Sequence, residues 1–380
     1  MKVITFSDEY LESLISFIKL VWNKNATPLE FIESRYNDLI NNPYGRKLGF
    51  PIYLLLDNDH VVGHIAATPC GLWANGKEHN MYWISGLHIL PEYRGKGVAR
   101  LLPMRVMKEL PTITGFFVLD APLRIYHKLG WNIIGKIPEY IKIINPVGFI
   151  SNINITNLVH LPTVAKKAVN KNSKIKQIIY WRMIPFSLNC YNKFWKMISY
   201  NKKKDNLCQI VKDFDDRIDT LWERNKYSIK FAQVRKSSYM NWQFKQGEGW
   251  VKIIYEEEDR VFGYAILSIK RFWEDSRMGN VKITSIIDLF WDFDKPYVLK
   301  KMLDYIGELS NIQNSDVIIC SINNKNARNI LVKNAYLKIP GSVYFEYYSS
   351  DDNLNLSNNI KDWYITRGDA DAYGSLGPQG

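Results

Sequence analysis

Six consecutive residues, Arg94-Gly95-Lys96-Gly97-Val98-Ala99, carry the clearest chemistry in this chain. They follow an apolar run at 84–90 and precede Arg100-Leu101-Leu102-Pro103-Met104, which has the pattern of a helix start. A strand, a basic glycine turn and a helix N-terminus together make a cradle for pyrophosphate. Backbone N–H groups converge there, glycine lets the phosphate approach, and the helix dipole favours negative charge. The pattern is Arg-x-x-Gly-x-Ala, with Pro91-Glu92-Tyr93 directly before it. Other chemistries are poorly served. His60 and His64 are four apart but flank a β-rich stretch, where they would stand roughly 13 Å from each other, too far to share a metal. There is no Gly-x-Ser-x-Gly and no Walker loop.

The elements that must position this loop can be read around it. Residues 10–22 and 30–40 are helix-periodic, and 51–57 and 60–68 are β-rich with a turn at Asp57-Asn58-Asp59. The chain has 380 residues, of which 46% are hydrophobic and 23% charged, which suits two globular domains. Its four cysteines (Cys70, Cys190, Cys208, Cys320) lie far apart, as in a reduced cytoplasmic protein. No signal peptide and no bilayer-length apolar run is legible.

The formal net charge is +12, and residues 151–205 hold most of it, with eleven Lys/Arg against one acid. No nucleic-acid module accompanies this patch, so nucleic acid is not an expected partner. Aromatics are interleaved with the bases, at Tyr180-Trp181 and Phe194-Trp195-Lys196. The segment reads either as a solvated helical linker or as a surface that attracts anionic lipid headgroups.

An internal repeat organises the rest. Glu33-Ser34-Arg35-Tyr36, Val61-Val62-Gly63-His64 and Leu129-Gly130-Trp131 return as Asn241-Trp242-Gln243-Phe244, Val261-Phe262-Gly263-Tyr264 and Asn334-Ala335-Tyr336, at offsets of 208, 200 and 205 residues. Two similar α/β units joined by the basic segment are expected.

The loop at 94–99 resembles the acetyl-CoA loop of the GNAT N-acetyltransferase superfamily, [Gln/Arg]-x-x-Gly-x-[Gly/Ala], and Pro91-Glu92-Tyr93-Arg94-Gly95-Lys96-Gly97 is a common wording there. The full chain to about Asp371 is similar to tandem-GNAT proteins of bacterial surface-polysaccharide gene clusters. That likeness rests on Asn42-Pro43-Tyr44-Gly45, the stretch from Phe214 to Trp222, and Arg235-Lys236-Ser237-Ser238-Tyr239-Met240-Asn241-Trp242. The resemblance implies an α/β (α+β) fold of two tandem GNAT-like domains, with mixed, mostly antiparallel sheets flanked by helices. The expected division is an N-terminal GNAT domain at 1–147, a basic connecting segment at 148–205, a degenerate GNAT domain at 206–350 and a polar, partly disordered tail at 351–380.

The resemblance also implies the chemistry. An amine attacks the thioester of acetyl-CoA, or of another short acyl-CoA, and a thiolate leaves. The family splays the strand before the loop from the next one, here 81–90 from 115–120, and threads pantetheine between them. The loop residues Arg94, Gly95, Lys96, Gly97, Val98 and Ala99 would hold the pyrophosphate, the N–H near Leu87 would face the thioester oxygen, and Ile89 would flank pantetheine. Ala121-Pro122-Leu123-Arg124-Ile125-Tyr126-His127-Lys128-Leu129-Gly130-Trp131 resembles the family's Ala-x-x-x-x-Tyr-x-Lys-x-Gly-Phe region, which makes Tyr126 the acid for the sulfur.

The base stays open. By strand alternation 83, 85, 87 and 89 share a face, so Trp83 and Ser85 stand where relatives carry Glu or His, and His88 points the other way. Ser85, His88 and Asp120 join Tyr126 as catalytic candidates, with Glu78, His79, His64 or a relayed water as further possibilities. No metal is expected.

In the second unit, Trp291-Asp292-Phe293-Asp294-Lys295-Pro296 replaces the loop and Leu331 replaces the tyrosine, so CoA belongs to the first unit alone. The implied acceptor is an amino sugar on a nucleotide, handled in the cytoplasm or at the inner membrane face. A FemX-like aminoacyl transfer and a non-catalytic CoA-binding scaffold are the alternatives, and the intact loop argues against the former.

Overall fold

The computed structural model describes residues 1–22, 27–117, 120–153, 185–187, 189–190, 207–245, 249–273, 278–341 and 343–369. Almost all of the basic connecting segment therefore lies outside the described residues. After β1 (Lys2–Thr5) come α1 (Leu11–Trp22) and α2 (Pro28–Asn41). Thr27 starts α2 for a local reason. Its hydroxyl accepts from the Glu30 N–H at 3.2 Å, the Glu30 carboxylate accepts from the Thr27 N–H at 2.8 Å, and Pro28 takes the first helical position. The short α3 (Gly45–Leu48) leads into the hairpin of β2 (Ile52–Asp57) and β3 (His60–Ala74). Next come β4 (Lys77–Ile89), α4 (Leu101–Glu109), β5 (Thr112–Phe117), α5 (Asp120–Lys128), β6 (Asn132–Lys136), β7 (Glu139–Ile143) and α6 (Pro146–Asn152).

The second half contains β8 (Cys208–Val211), α7 (Asp216–Asn225), β9 (Phe231–Gln233), α8 (Ser237–Gln243), β10 (Trp250–Glu257), β11 (Arg260–Arg271) and β12 (Lys282–Trp291). It continues through α9 (Pro296–Ile312), β13 (Val317–Ser321), α10 (Lys325–Lys333), β14 (Leu337–Ile339), β15 (Tyr344–Ser349) and β16 (Trp363–Tyr364).

The repeat survives in backbone detail. Asn58 and Asp59 turn the β2–β3 hairpin at φ 46° and 62°, and Glu258 and Asp259 turn β10–β11 at 49° and 58°. Both are the left-handed pair that a two-residue hairpin needs. Each hairpin has a register shift just before its turn, at Leu55/Leu56 and Tyr255/Glu256. Gly130 at φ 88° and Ala335 at φ 67° follow α5 and α10 in matching places.

The strands form two mostly antiparallel sheets flanked by helices. The first runs β1-β2-β3-β4-β5-β15-β6, with β9 on the far end of β3 and β16 on β9; the second runs β14-β7-β13-β12-β11-β10-β8. The sheets do not coincide with the segments 1–147 and 206–350. Strand β15 of the second half lies between β5 and β6, and β7 of the first half lies between β13 and β14. Both junctions carry an Ile-Pro, Ile137-Pro138 and Ile339-Pro340. Proline biases the residue before it towards extended backbone, which disfavours folding back as a tight hairpin. The crossing chains touch: the Ile137 N–H donates to the Val343 carbonyl at 3.0 Å, and a Cβ on Gly341 would sit 1.9 Å from the Ile137 carbonyl oxygen. Only glycine fits that approach.

One core serves both halves. Trp73, Trp83, Trp222, Phe290, Phe345 and Trp363 belong to a single buried cluster, and the Trp73 indole donates to the Ile229 carbonyl. The polar stretch from 351 is anchored as far as residue 369. Leu354, Trp363, Tyr364 and Ile365 are buried in that core, because these apolar residues punctuate an otherwise polar stretch. Residues 370–380 lie outside the described residues.

Candidate active site

Strands β4 and β5 are paired only at Tyr82↔Ile113 and Trp83↔Thr114. Beyond that the ladder between them ends among the described residues, and the unpaired stretch, here termed the wedge, leads along β4 to the loop at 94–99. The loop is exposed. Gly95 and Gly97 take φ of 77° and 75°, and neither has a heavy atom within 4 Å of where a Cβ would be, so both are glycine for their backbone angle and not for crowding. Val98 and Ala99 pack on the core beneath α4 and anchor the far end of the turn. Arg94 anchors the near end, where its Nε donates to the Ile89 carbonyl at 2.9 Å. Lys96 lies 5.5 Å from the centre of the Tyr93 ring, whose hydroxyl donates to Asp57 at 2.9 Å. The residues thus present a strand, two left-handed glycines, two cations and a helix N-terminus in one place, a set that fits a pyrophosphate.

Strand β4 carries a bulge beside the wedge. Ser85 pairs with Ala66 and His88 pairs with His64, so Gly86 and Leu87 together stand opposite Ile65. Gly86 adopts φ 64°, which a bulge of this kind requires. The bulge corrects the expected parity. One extra residue shifts the alternation, so His88 lies on the same face as Trp83 and Ser85, and Ile89 moves to the other face with Ile84 and α4. A bulge also takes a backbone group out of the ladder at Gly86–Leu87.

Two histidines flank the bulge. His64 is buried, and its Nδ1 donates to the Gly86 carbonyl at 2.9 Å, which clamps the bulge. Burial pushes its imidazole down to about 4, with the Gly86 bond opposing, so it is neutral at physiological pH. His88 is partly exposed and sits edge-on to Trp22 at 5.1 Å. Burial first and the Arg94 charge second lower its pKa, and its buried Nδ1 makes no hydrogen bond. A neutral imidazole is a competent proton acceptor.

Tyr126 is fully buried on α5, packed on Trp131 with ring centres 4.6 Å apart. Burial, and after it the Glu346 charge, hold its phenol well above the ordinary range. Ser85 is partly exposed. Asp120 opens α5, and its side chain lies outside what is described. Glu78 and His79 are at the opposite end of β4, about 25–30 Å from Leu87 at the usual strand rise. Glu78 is occupied there, accepting from the Tyr44 hydroxyl at 2.7 Å and from Lys236 at 2.9 Å. The fold therefore gathers Ser85, Leu87, His88, His64 and the loop about one strand, and leaves Glu78 and His79 outside. Among the described residues, no cluster of three His, Cys, Asp or Glu is placed to hold a metal.

The second half closes the corresponding wedge with its own chain. Strand β12 pairs with β13 up to Ile286↔Cys320 and then bulges at Ile287. There the Gly368 N–H donates to the Ile287 carbonyl at 2.7 Å, Thr366 bridges to Ile322, and the Tyr364 hydroxyl donates to the Leu289 carbonyl. Buried Arg235 ties this plug down through Asp369 at 2.6 Å and Asp288 at 3.3 Å. At the head of α9, Asp292 pairs with Arg224 and Lys295 lies over Phe262; Leu331 of α10 is fully buried in the core.

Sequence reasoning missed the plug, the bulge and two residues. Gln233 of β9 accepts from the Trp83 indole, which joins the second half to β4. Glu346 of β15 is fully buried in the first sheet. A glycine inside a strand pattern was the available signal for the bulge.

Residues 2–134 match the family model described as "Acetyltransferase (GNAT) domain". No curated protein matches the sequence. Among solved structures, the chain is similar to a conserved Enterococcus faecalis protein described as a probable N-acyltransferase, at 13% identity and TM-score 0.58, covering 94% of this chain and 74% of that one. It is similar to a GCN5-related N-acetyltransferase of Anabaena variabilis at 14% identity and TM-score 0.56, covering 94% and 75%. Saccharomyces cerevisiae N-myristoyltransferase with bound myristoyl-CoA follows at 14% identity and TM-score 0.54, covering 91% and 82%. The structural likenesses establish the tandem fold. Residues 2–134 thus carry the likeness to a GNAT acetyltransferase domain, and the likeness of the whole chain is one of fold.

Proposed function

We propose that this enzyme transfers an acyl group from acetyl-CoA, or another short acyl-CoA, to the amine of a nucleotide-linked amino sugar destined for bacterial surface polysaccharide. The reading is carried by the wedge: the β4–β5 ladder ends after two paired positions, and β4 leads on to a glycine loop at the head of α4. The loop backbone from Arg94 to Ala99 takes the pyrophosphate, Ile89 lines the pantetheine path, and the Leu87 N–H donates to the thioester oxygen. The amine attacks the carbonyl carbon, the C–S bond breaks, Tyr126 gives its proton to the sulfur, and the amine's proton leaves to a base. His88 is the best-placed base because it is neutral, half-open and beside the bulge. Ser85 and Asp120 orient the amine or a water. The acceptor class follows from the sequence likeness to polysaccharide-cluster proteins.

The test is thiol release from acetyl-, butyryl- and myristoyl-CoA with a panel of nucleotide amino sugars. Turnover with one sugar and a short acyl chain is expected. Acyl-CoA binding without turnover on any amino sugar overturns the acceptor assignment. Absence of acyl-CoA binding overturns the wedge.

A further inference from the structure

Glu346 is a carboxyl that the second half delivers to the first sheet. It lies on the exchanged strand β15, across from Gly115 of β5 and Ile133 of β6. Its relative exposure is 0%, and neither carboxyl oxygen has a hydrogen-bond partner. Such a group is costly to bury, and a fold that keeps one usually completes it with something else. Alternation along β15 gives its direction. Phe345 and Tyr347 turn into the core shared by the halves. Tyr348 turns the other way to Trp131, which packs on Tyr126. Glu346 has the parity of Tyr348 and so lies on the Tyr126 side of the sheet. Gly115, its neighbour across the ladder, is the first β5 residue past the last pair with β4, and it offers no side chain between Glu346 and the wedge. Among the described residues, the basic groups of the neighbouring elements do not pair with it. Arg124, His127 and Lys128 of α5 are exposed, and Lys136 of β6 is exposed over the Tyr344 ring.

We propose that Glu346 is a positioning residue of the acyl-transfer site, acting through Tyr126: as an uncharged acid it lets the phenol protonate the departing thiolate, and as an anion it stops that transfer. This rests on the wedge and on Tyr126 as proposed above. Burial supports it by pushing the Glu346 carboxyl up to about 8. At pH 7 the group is mostly protonated. Above pH 8 its charge tightens the Tyr126 proton and repels the nascent thiolate. During turnover the Tyr126 proton passes to sulfur and the amine's proton passes to the base; the phenolate then regains a proton as the base releases the one it took, and Glu346 stays protonated throughout.

The experiment pairs Glu346→Gln with Tyr126→Phe and uses two measurements. The first is kcat against pH from 6 to 10 with acyl-CoA and the acceptor found above. The wild type should lose about tenfold for each unit above pH 8, and Glu346→Gln should lack this limb with little change in the KM for acyl-CoA. A limb that persists near pH 8 in Glu346→Gln overturns the proposal. The second is calorimetry of CoA binding to the wild type and the variant in buffers of different ionisation enthalpy, which counts protons exchanged without turnover. Proton exchange centred near pH 8 in the wild type alone is expected. Identical exchange in both proteins, or none in the wild type, overturns Glu346 whatever the kinetics show. Full activity in Tyr126→Phe instead overturns the acid assignment, and the proton count still judges Glu346.

Discussion

Replacing Asp369 with Asn should destabilise the whole protein, although the residue lies eleven positions from the end of the chain. Arg235 has 0% relative exposure, and its guanidinium reaches Asp369 at 2.6 Å, Asp288 at 3.3 Å and the Gln233 carbonyl at 2.9 Å, with the Tyr364 ring 4.8 Å away. Asp288 is already engaged by the hydroxyls of Tyr264 at 2.8 Å and Thr366 at 2.7 Å, so it cannot draw closer to replace the lost charge. Asp369 also accepts from the Thr366 N–H at 2.7 Å, which closes the turn that carries Gly368. Removing one partner of a buried ion pair costs about 3–5 kcal/mol, because the other charge is left under-compensated. Asn keeps an acceptor oxygen, so roughly 3 kcal/mol is expected, read as a lower midpoint in urea by tryptophan fluorescence. A loss below about 1 kcal/mol would mean that the plug is not held by this pair. The same protein bears on the second wedge. Calorimetry should give one CoA per chain in wild type and variant alike, since the turn at Trp291–Pro296 has no glycine and places Asp292 and Asp294 where phosphates would come. Two sites in the wild type would contradict the assignment of CoA to the first half.

Gly97→Asp should abolish acyl-CoA binding by calorimetry while the protein stays folded. The aspartate must adopt φ 75° and sets a charge against the pyrophosphate worth about 4 kcal/mol at 4 Å near a surface, or roughly a thousandfold in affinity. Unchanged affinity in folded protein removes the basis of the CoA loop. For the basic segment, co-sedimentation with anionic vesicles at low salt and release as salt rises is the expected result, at on the order of 1 kcal/mol per basic residue at the surface. Equal behaviour with neutral vesicles, or no sedimentation with either, makes the lysines of 151–205 solvated linker.

What could be read in the sequence was local. The loop at 94–99 was legible because a strand, two glycines and a helix start follow one another without a break, and each has its own residue pattern. The hairpin at Asp57-Asn58-Asp59 was legible for the same reason, and the repeat offset of 200 residues reappears in the turn at 258–259. What depends on partners far along the chain was hidden. His88 was assigned to the wrong face because alternation was carried through Gly86, where the bulge adds a residue that only the register with β3 reveals. Glu346 stands in Tyr344-Phe345-Glu346-Tyr347-Tyr348, a run in which either face could have been the buried one. Both faces are covered, Phe345 and Tyr347 by the core shared by the halves, and Glu346 and Tyr348 on the side of Trp131 and Tyr126. The Ile-Pro junctions were visible, but a proline says only that the chain runs extended, not which sheet receives it.

The exchange of strands gives a physical reason why a half that lacks both the glycine loop and the tyrosine stays attached. Without β15, β5 and β6 would each expose a strand edge, and the core would lose Phe345 and Tyr347, which are almost completely buried. Without β9, Trp83 of β4 would lose the Gln233 acceptor for its buried indole N–H. The first sheet, which holds the proposed wedge, is therefore completed by residues more than a hundred positions away, and the reverse holds for β7 in the second sheet. Under that arrangement the second half is free to lose its own cradle but not its packing. Its wedge must still be filled, since an empty cleft beside the Ile287 bulge would leave the Ile287 carbonyl unpaired and take Asp369 from the buried Arg235, which would then have Asp288 as its one carboxylate. Residues 364–369 fill it. The two wedges thus differ in what meets them: residues 364–369 fill one, and the other leads to an exposed glycine loop, with the Glu346 carboxyl of the second half buried on the Tyr126 side of that sheet.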